Sequence, residues 1–400
     1  MSIALLKGFR VIDLAGEPGA QAGRILSDLG AEVVMVEPPG GSPARSVPPL
    51  VAGPDGEVIS AHFVYMAAGK RSVTLDLAGD EGYGLFRDLV AVSDVVLVTA
   101  GTDELRERRL DYESLRRLNE GIVYASVTAF GSSGPRRSWR GSDLVAWASS
   151  GIMVSIGDED RRPVAPGGGL AYAAGSLNAV AATVLALRSR ARTGRGQQID
   201  ISLQEAVLSV TMDTGPFFPL EGGSQARVGA RRGPAQGHFP ARDGFVELLP
   251  YMPGQWDSLA EWISEDLGIH EATMDVFKGS IMARAPFGEL INGWVEQLSS
   301  RYTKQEFFVE AQRRGIPCGP VNEPVDLLSD PQLEAVGGWV EQDLGGLGSL
   351  RWPRPPLRFS GEGMGTGAVP AVGEHNDAVL GGVLGVQPER LDLLRRSGCI

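Results

Sequence analysis

Residues 9–36, FRVIDLAGEPGAQAGRILSDLGAEVVMV, contain the pattern that decides the fold. The apolar run at 9–14 predicts a strand, residues 20–30 have the apolar spacing of a helix, and residues 31–36 predict a second strand. A strand, a helix and a second strand in such close succession form a βαβ unit, in which the two strands lie parallel in one sheet. The N-terminal part of the chain is therefore expected to be α/β with a mostly parallel sheet.

The same alternation continues toward the middle of the chain. Runs at 73–77, 94–98 and 124–130 predict further strands, and residues 82–92 predict a helix. Parallel sheets bind ligands at the carboxyl ends of their strands, so the turn after the first strand is a candidate binding position. That turn, residues 15–20, lacks the GxGxxG spacing, and the chain has no GxxxxGK[ST], HExxH or GxSxG motif.

The rest of the chain predicts further helices and strands around one long helix at 170–190. Residues 170–187 are uncharged, which meets the minimum length of a membrane span, but the Ala-rich composition favours a buried helix of a soluble core. The other predicted segments are a strand and helix within 193–206, a linker at 222–237, a strand and helix within 243–263, and a loop with edge strands at most at 345–370.

Composition excludes several classes of function. Lys+Arg 37 against Asp+Glu 49 gives a net charge of −12, which disfavours a nucleic-acid partner. Two cysteines cannot form a disulfide framework or a cysteine zinc site, and the four histidines are scattered, so we expect no metal site. The N-terminus has no apolar signal segment, and a cytoplasmic protein without a membrane partner is expected.

A series of motifs extends over nearly the whole chain. In order they are LKGFRVIDLAG (6–16), LSDLGAEVVMVEPPGG (26–41), GKRSVTLDL (69–77), SVTAFGSSGP (126–135), GSDLVAWASSG (141–151), RTGRGQQIDISLQEA (192–206), RRGIPCGPVN (313–322), LLSDPQL (327–333) and GEHN (373–376). In content and order they resemble the family III CoA-transferases (CaiB/BaiF type), a group that includes formyl-CoA, crotonobetainyl-CoA and benzylsuccinate CoA-transferases and alpha-methylacyl-CoA racemase.

The resemblance implies a fold and an activity. It implies a Rossmann-like large domain from 1–220, completed by a return segment at 331–400, a smaller α/β domain at 221–330, and an interlocked dimer. The implied reaction moves CoA between an acyl-CoA, of the succinyl-CoA type, and a carboxylic acid. The CoA thioester is then a substrate, and no permanently bound cofactor is expected.

The chain departs from the family at the catalytic nucleophile. Family members use an aspartate at the start of the long helix to attack the thioester, and the matching residue here is Ala171. No Asp or Glu occurs from 161 to 199, so a shifted alignment does not restore it. The racemase branch needs the same aspartate and a histidine that is replaced here by Ser142. Racemase activity is therefore disfavoured.

Glu17 is the candidate substitute for the missing carboxylate. It follows the first strand, where family transferases often have a Gln near the reacting carbonyl. A carboxylate there is a candidate nucleophile or base, and the alternative interpretation is a solvated loop glutamate.

The cationic residues that the sequence offers for CoA phosphates are Arg45, Lys70, Arg71 and Arg136. Arginine binds phosphate with two parallel hydrogen bonds and lysine with a point charge. The alternative for each is a solvated surface charge. A second departure concerns the same ligand, because residues 99–103 (TAGTD) replace the Glu-Asn-Phe-Arg-Pro-Gly string that many members carry.

Four other residues are predicted to have structural roles. Asp143 is interpreted as a helix N-cap, since it precedes the apolar segment at 144–151. Trp139, Trp147 and Trp256 are predicted to lie in the core rather than around a substrate.

Three functions remain open from the sequence. The first is the non-nucleophilic subunit of a heteromeric CoA-transferase, in which a homologous partner carries the aspartate. The second is a homodimeric enzyme of altered chemistry on CoA thioesters that uses Glu17. The third is a binding or scaffold protein without catalysis.

Overall fold

A computed structural model describes residues 4–52, 56, 58–210, 222, 226, 227, 229–343, 348–360 and 362–400. Contacts divide the chain into two units. The first unit comprises Met1–Met153, Ala165–Gly223 and Gln332–Ile400, and the second comprises Val154–Val164 and Ser224–Pro331. The predicted boundary after residue 220 lies outside the described residues and stays a prediction.

Residues 154–164 belong to the second unit, although the sequence placed them in the large domain. The guanidinium of Arg227 donates hydrogen bonds to the carbonyl oxygens of Val154 at 3.0 Å and Asp158 at 3.1 Å. The N–H of Gly229 donates to the carbonyl of Gly157 at 3.1 Å. These hydrogen bonds join segments that are far apart in sequence, so local sequence patterns do not predict that the two segments lie in the same unit.

The N-terminal part of the first unit alternates strands and helices. Its elements are β1 Arg10–Leu14, α1 Ala20–Asp28, β2 Glu32–Glu37, β3 Leu50–Ala52, β4 Val58–Ser60, α2 Ala61–Ala67, β5 Arg71–Thr74, α3 Asp80–Ala91, β6 Val95–Val98, α4 Thr102–Glu107, α5 Tyr112–Arg116, β7 Val123–Thr128, α6 Asp143–Ser149, α7 Leu170–Thr193, β8 Gln198–Ser202 and α8 Leu203–Val210.

Six of these strands form one sheet in the order β5-β2-β1-β6-β7-β8, and every pair in it is parallel. The prediction of an α/β fold with a parallel sheet is confirmed. Because β1 lies between β2 and β6, the chain crosses to opposite sides after it, and a crevice opens at the carboxyl end of β1. β5 ends at Thr74 rather than at the predicted residue 77, since the Asp76 carboxylate accepts the N–H of Ala78 and begins a turn.

The long helix α7 packs against β7, α1 and α8. A Cβ at Gly175 would lie 2.4 Å from Leu203 Cδ2, so this contact with α8 requires glycine. An 18-residue window of α7 has a mean hydropathy of 1.6, which satisfies the length and composition of a membrane span. Eight of its residues are nonetheless buried within the unit, including Ala171, Ser176 and Thr183, as the prediction of a core helix expects.

The second unit has an antiparallel sheet in the order β12-β11-β10-β9 with helices packed on it. Its elements are β9 Arg231–Gly233, β10 Gln236–Ala241, β11 Gly244–Leu248, α9 Pro253–Leu267, α10 Ile281–Arg284, α11 Gly288–Ser299, α12 Lys304–Arg313, β12 Cys318–Pro320 and α13 Pro324–Leu327. The predicted linker at 222–237 is wrong where the structure describes it, because β9 and the start of β10 lie there. Trp256 is in the core of this unit, as predicted.

The C-terminal segment returns to the first unit. Its elements are α14 Pro331–Ala335, β13 Trp339–Asp343, β14 Ser349–Pro353, β15 Arg358–Phe359, β16 Glu362–Gly363, the π-helix Asp377–Gly381 and α15 Pro388–Arg396. Within the described part of the chain, β13 pairs with β14 and β15 with β16, and none of them joins the larger sheets, in line with the predicted edge strands. Asn376 of the GEHN motif fixes the segment to β5, because its side chain accepts the Thr74 N–H at 2.9 Å and donates to Thr74 Oγ1 at 2.8 Å.

Candidate active site

A cavity of about 380 Å³ lies in the first unit at the carboxyl ends of the central strands. Its lining includes residues of the β1 loop and of the segments after β2, β5 and β6. These residues include Asp13, Gly16, Glu17, Glu37, Ser42, His62, Lys70, Asp76, Ala100 and Arg108. The cavity therefore occupies the position where a parallel sheet with this strand order is expected to bind its ligand.

Lys70 is neither a solvated charge nor an unpaired one. Its Nζ is buried and donates to Asp13 Oδ2 at 2.7 Å and to the carbonyl of Ala20 at 2.9 Å. A Cβ at Gly23 would lie 2.2 Å from Asp13 Oδ2, so the glycine of α1 makes room for this pair. The ion pair ties the end of β1 to the segment before β5, and the Lys70 charge is matched within the protein.

Arg45 is paired in a similar way. Its Nε and Nη2 donate to the two carboxylate oxygens of Glu37 at 2.8 and 2.6 Å, and its guanidinium stacks 4.3 Å from the ring centre of Phe63. Burial alone would raise the pKa of Glu37. Hydrogen bonds from Arg45, Ser72 and the N–H of Ser42, with the Arg45 charge, outweigh burial and hold the pKa below its usual value.

Arg71 and Arg136, like Arg45, are not among the lining residues. Arg71 begins β5 at the amino edge of the sheet and donates to Glu32 Oε1 at 2.6 Å. Arg136 is exposed in the loop after β7, with its guanidinium 5.3 Å from the ring centre of Trp139 and 5.8 Å from that of Phe130. Arg136 has no ion-pair partner among the described residues, so its charge is available to a ligand.

One cation of the cavity wall, Arg108, was not predicted from the sequence. Arg108 follows α4 and lines the cavity with a side chain that is 46% exposed. Its one ion pair with a described residue is with Glu104 at 3.3 Å, on the surface, where such pairs contribute little. The sequence feature that indicates Arg108 is the basic run RERR at 106–109, which lies shortly after the fourth predicted strand at 94–98.

The first turn of α7 carries the residue that matches the family nucleophile. Ala171 is fully buried, and its N–H donates to Asp143 Oδ1 at 2.7 Å. The N–H of Tyr172 donates to the same oxygen at 3.3 Å. The expectation that Asp143 caps its own helix is wrong, because Ser142 caps α6 by accepting the N–H of Val145. Asp143 instead caps α7, whose preceding residue, Gly169, has no side chain to do so.

Glu17 lies on the exposed rim of the cavity and is close enough to act on Tyr172 electrostatically. Burial and the negative charges of Glu17 and Asp143 raise the pKa of the Tyr172 phenol, against a hydrogen bond with the backbone of Asp143 that lowers it. The β1 loop and α7 also approach the same strand, since Gly19 and Gly175 both pack beside Val127 of β7. The fold thus brings Glu17, Asp143, Ala171 and Tyr172 into one region.

The tryptophan assignments are correct for Trp147 and wrong for Trp139. Trp147 is 6% exposed, on the buried face of α6. Trp139 is 59% exposed, because the loop after β7 holds it edge-on to Phe130 beside Arg136 rather than in a core.

Residues 6–376 match the sequence family described as CoA-transferase family III. The chain belongs to this family. The family III chain is 32% identical over 388 residues to the succinate–glutarate CoA-transferase of Agrobacterium fabrum, and the match covers 94% of each protein. It is 31% identical to the succinyl-CoA:(R)-benzylsuccinate CoA-transferase subunit BbsE of Thauera aromatica, covering 98% of this chain and 97% of the relative.

A solved structure agrees with these relatives. The crystal structure of a CaiB/BaiF family protein from Brucella suis superposes with a TM-score of 0.84 at 32% identity, covering 95% of this chain and 99% of the other. The family III CoA-transferase described here is thus an enzyme of the class whose substrates are CoA thioesters and carboxylic acids. The sequence-based assignment to this family is confirmed.

Proposed function

We propose that this chain is the non-nucleophilic subunit of a heteromeric CoA-transferase that moves CoA from an acyl-CoA of the succinyl-CoA type to a carboxylic acid. The observation that supports it most directly is the fully buried methyl group of Ala171 in the first turn of α7. A methyl group cannot attack a thioester, and the adjacent N–H groups are occupied by Asp143.

The chemistry then requires a carboxylate on the partner chain. That carboxylate attacks the thioester carbonyl carbon, the C–S bond breaks, and CoA leaves as a thiolate with a mixed anhydride formed. The thiolate attacks the enzyme-derived carbonyl of the anhydride, which releases the first acid and leaves an enzyme–CoA thioester. The acceptor carboxylate attacks that thioester, and the thiolate it displaces attacks the acceptor's carbonyl to give the new acyl-CoA and the free enzyme carboxylate.

The cavity of the first unit is the proposed place for part of the CoA molecule. Arg108 in its wall and Arg136 in the loop after β7 are the proposed phosphate contacts, since both are exposed arginines with unused donors. Arg45 and Lys70 take a supporting role instead, because Glu37 and Asp13 neutralise them. Arg71 is left out of the proposed site.

An apolar surface supports the presence of a second chain. Leu177 and Leu185 of α7 are 56% and 66% exposed, and neighbouring helices contribute Leu144 of α6 and Leu208 of α8, which are 56% and 44% exposed. Apolar patches of this kind mark association surfaces. The proposed occupant is a homologous chain in an interlocked dimer within the cytoplasm, and a second copy of this chain is the alternative.

A homodimer that uses Glu17 is the second candidate function. It is favoured by the position of Glu17 on the cavity rim, where its carboxylate has no ion-pair or hydrogen-bond partner among the described residues. A carboxylate in that position could accept an acyl group by the same steps. The two candidates differ in which chain carries the covalent intermediate.

The deciding experiment traps that intermediate. The chain is purified alone and together with a co-expressed homologue that has an aspartate at the position corresponding to Ala171. Each preparation is incubated with succinyl-CoA, treated with borohydride, and mapped by peptide mass spectrometry. We expect a stable heteromer, reduction of the partner's aspartate, and little turnover by the lone chain.

The other outcomes separate the alternatives. An adduct on Glu17, with turnover lost in Glu17→Gln, supports the homodimeric enzyme. Full turnover by the lone chain that survives Glu17→Gln contradicts both candidates. A chain that binds acyl-CoA but gives no adduct and no transfer with any homologue is a binding protein.

A further inference from the structure

Arg71, which the proposed CoA site leaves out, lines a second cleft at the opposite end of the parallel sheet. This cleft has a volume of about 670 Å³ and lies at the amino ends of β1, β2 and β5. None of the described residues lines both this cleft and the cavity of the candidate active site. The length of β1, about 13 Å, separates the two. The charged residues of the cleft lining are Lys7, Arg10, Asp28, Glu32 and Arg71.

Two arginines of the cleft share one carboxylate. Arg10 Nε donates to Glu32 Oε2 at 2.8 Å, and Arg71 Nη1 donates to Glu32 Oε1 at 2.6 Å. Asp94 accepts the backbone N–H of Arg10, but its carboxylate is already paired with Arg190 at 2.7 Å. One positive charge of the two arginines is therefore unmatched. The side chains of Arg10 and Glu32 are only 20% and 24% exposed, so water screens this excess charge incompletely.

The other charges of the lining add to this excess. Asp28 is neutralised by Arg24, whose Nε lies 2.9 Å from its Oδ2. Lys7 is exposed, and its ammonium group has no partner among the residues that the structure describes. Two positive charges are thus unmatched at this cleft, although the whole chain has a net charge of −12. A local excess of this kind attracts an anion.

The unused hydrogen-bond donors of the cleft suit a phosphate group. Arg71 is 42% exposed, and its Nε and Nη2 donate to no residue in the described part of the chain. Arginine can bind phosphate through two parallel N–H groups, and lysine adds a point charge. A phosphate monoester carries a charge near −2 at neutral pH, which matches the two unmatched cations better than a single carboxylate does.

We propose that this cleft is a second anion site, in which Arg71 and Lys7 bind a phosphate group. Glu32 holds the Arg71 side chain in place and at the same time limits the affinity, because its negative charge repels the anion. The phosphate belongs either to inorganic phosphate or to a phosphate monoester. The site is independent of the proposed CoA-transferase function, since its residues lie outside the candidate active site.

Isothermal titration of the full chain tests the site. Inorganic phosphate and glycerol 3-phosphate are titrated separately at constant ionic strength, with and without saturating CoA, so that phosphate bound at the CoA contacts is recognised. We expect saturable binding that CoA does not abolish. Tighter binding of glycerol 3-phosphate identifies a monoester as the ligand, and tighter binding of inorganic phosphate identifies the free anion.

Variants of the cleft assign the binding to its residues. In Arg71→Gln we expect the Kd for phosphate to rise about tenfold. Lys7→Gln should also weaken binding, and it leaves the fold intact because the Lys7 ammonium group contacts no described residue. Glu32→Gln should strengthen binding, since it removes the repelling charge. The control is Arg116→Gln, because Arg116 is an exposed, Glu-paired arginine outside the cleft lining, and its Kd should equal that of the wild type.

Three results would overturn the proposal. They are the absence of saturable phosphate binding, binding that CoA abolishes, and an equal Kd in the wild type, Lys7→Gln and Arg71→Gln. Weaker binding by folded Glu32→Gln would contradict it as well, because it would mean that the shared carboxylate does not oppose the anion. Each of these results leaves the CoA-transferase proposal standing, which depends on the trapped intermediate.

Discussion

The charged side chains beside the cavity and those near the start of α7 differ in whether they have a partner of opposite charge. Lys70 of the cavity lining and Arg45 outside it are each paired with a carboxylate of the lining, at 2.7 and 2.6 Å. Near the start of α7, Asp143 and Glu17 of the cavity rim have no cationic partner among the described residues, and Asp143 accepts only N–H groups. Lys70 and Arg45 are thus used for structure, which leaves Arg108 and Arg136 as the cations proposed for phosphates, and the negative charges that repel a carboxylic acid are left unpaired. An acceptor acid therefore needs cations from elsewhere, which agrees with a second chain at the site.

The largest expected effect comes from breaking a pair in the wall. Lys70→Met keeps the length of the side chain but leaves Asp13 buried without its cation. Breaking a buried ion pair on one side costs about 3–5 kcal/mol. Urea unfolding should show this loss, and the double variant Lys70→Met/Asp13→Asn should recover part of it.

Gly23→Ala tests the same pair without removing a charge. Alanine normally stabilises a helix interior by about 1 kcal/mol relative to glycine. Here the new Cβ would lie 2.2 Å from Asp13 Oδ2 and 3.0 Å from Lys70 Nζ, so we expect destabilisation. A stabilised Gly23→Ala, or a Lys70→Met that costs less than about 1 kcal/mol, would contradict the described pair.

The next effect is at the start of α7. Asp143→Ala removes the acceptor for two N–H groups and should cost about 1–2 kcal/mol in urea unfolding, the range of N-cap losses. Asp143→Asn retains an acceptor oxygen and should cost clearly less. Ser142→Ala, which removes the weaker 3.4 Å cap of α6, is the matched control. Equal losses in Asp143→Ala and Asp143→Asn would mean that charge, rather than the hydrogen bonds, stabilises this turn.

The third effect concerns CoA binding. Arg108→Gln removes the exposed cation of the cavity wall, and we expect the Kd for CoA to rise about tenfold, or about 1.4 kcal/mol. The difference should shrink at high salt, because exposed charges are screened. Isothermal titration measures both, with Arg116→Gln as the control because Arg116 is a similarly exposed, Glu-paired arginine outside the lining. Equal changes in the two variants would remove Arg108 from the proposed site.

The sequence predicted the sheet well because the strands are nearly continuous apolar runs, and β6 and β7 are buried at every position. These apolar runs are a local property of the sequence, so the strands can be recognised without knowledge of the tertiary structure. The sequence predicted the pairing of Lys70 and Arg71 poorly, since the partner of each is far away in sequence. Lys70 and Asp13 are 57 positions apart, and nothing in GKRSVTLDL indicates that the lysine turns inward.

Asp143 shows the same limit in another form. An aspartate before an apolar helix is a good N-cap, and the local pattern placed it on α6. The structure assigns that role to Ser142, one residue earlier, and turns the Asp143 carboxylate to α7, 28 positions away. Arg108 was not predicted because the comparison with the family string covered only residues 99–103. Arg108 follows α4, which extends beyond those residues.

The smallest expected effect is a pH dependence from Asp28 at the end of α1, outside the cavity lining. Burial raises the pKa of this carboxyl to about 6, against the charge and hydrogen bond of Arg24 at 2.9 Å and a hydrogen bond with Thr366. Since the folded pKa lies above 3.8, the ordinary pKa of an aspartate in the unfolded chain, the folded protein binds a proton that the unfolded chain has lost between these values. Stability from this group is therefore highest at low pH and falls as the pH rises through about 6.

Between pH 5 and pH 7 the free energy of unfolding should decrease by on the order of 1 kcal/mol because of Asp28 alone. The measurement is urea unfolding of the wild type and Asp28→Asn at several pH values, with the difference between the two taken at each pH so that other titrating groups cancel. We expect the wild type to lose stability relative to Asp28→Asn as the pH rises. A difference that is flat from pH 5 to 7, or that favours the wild type at the higher pH, would show that the Arg24 pair outweighs burial and keeps Asp28 ionised.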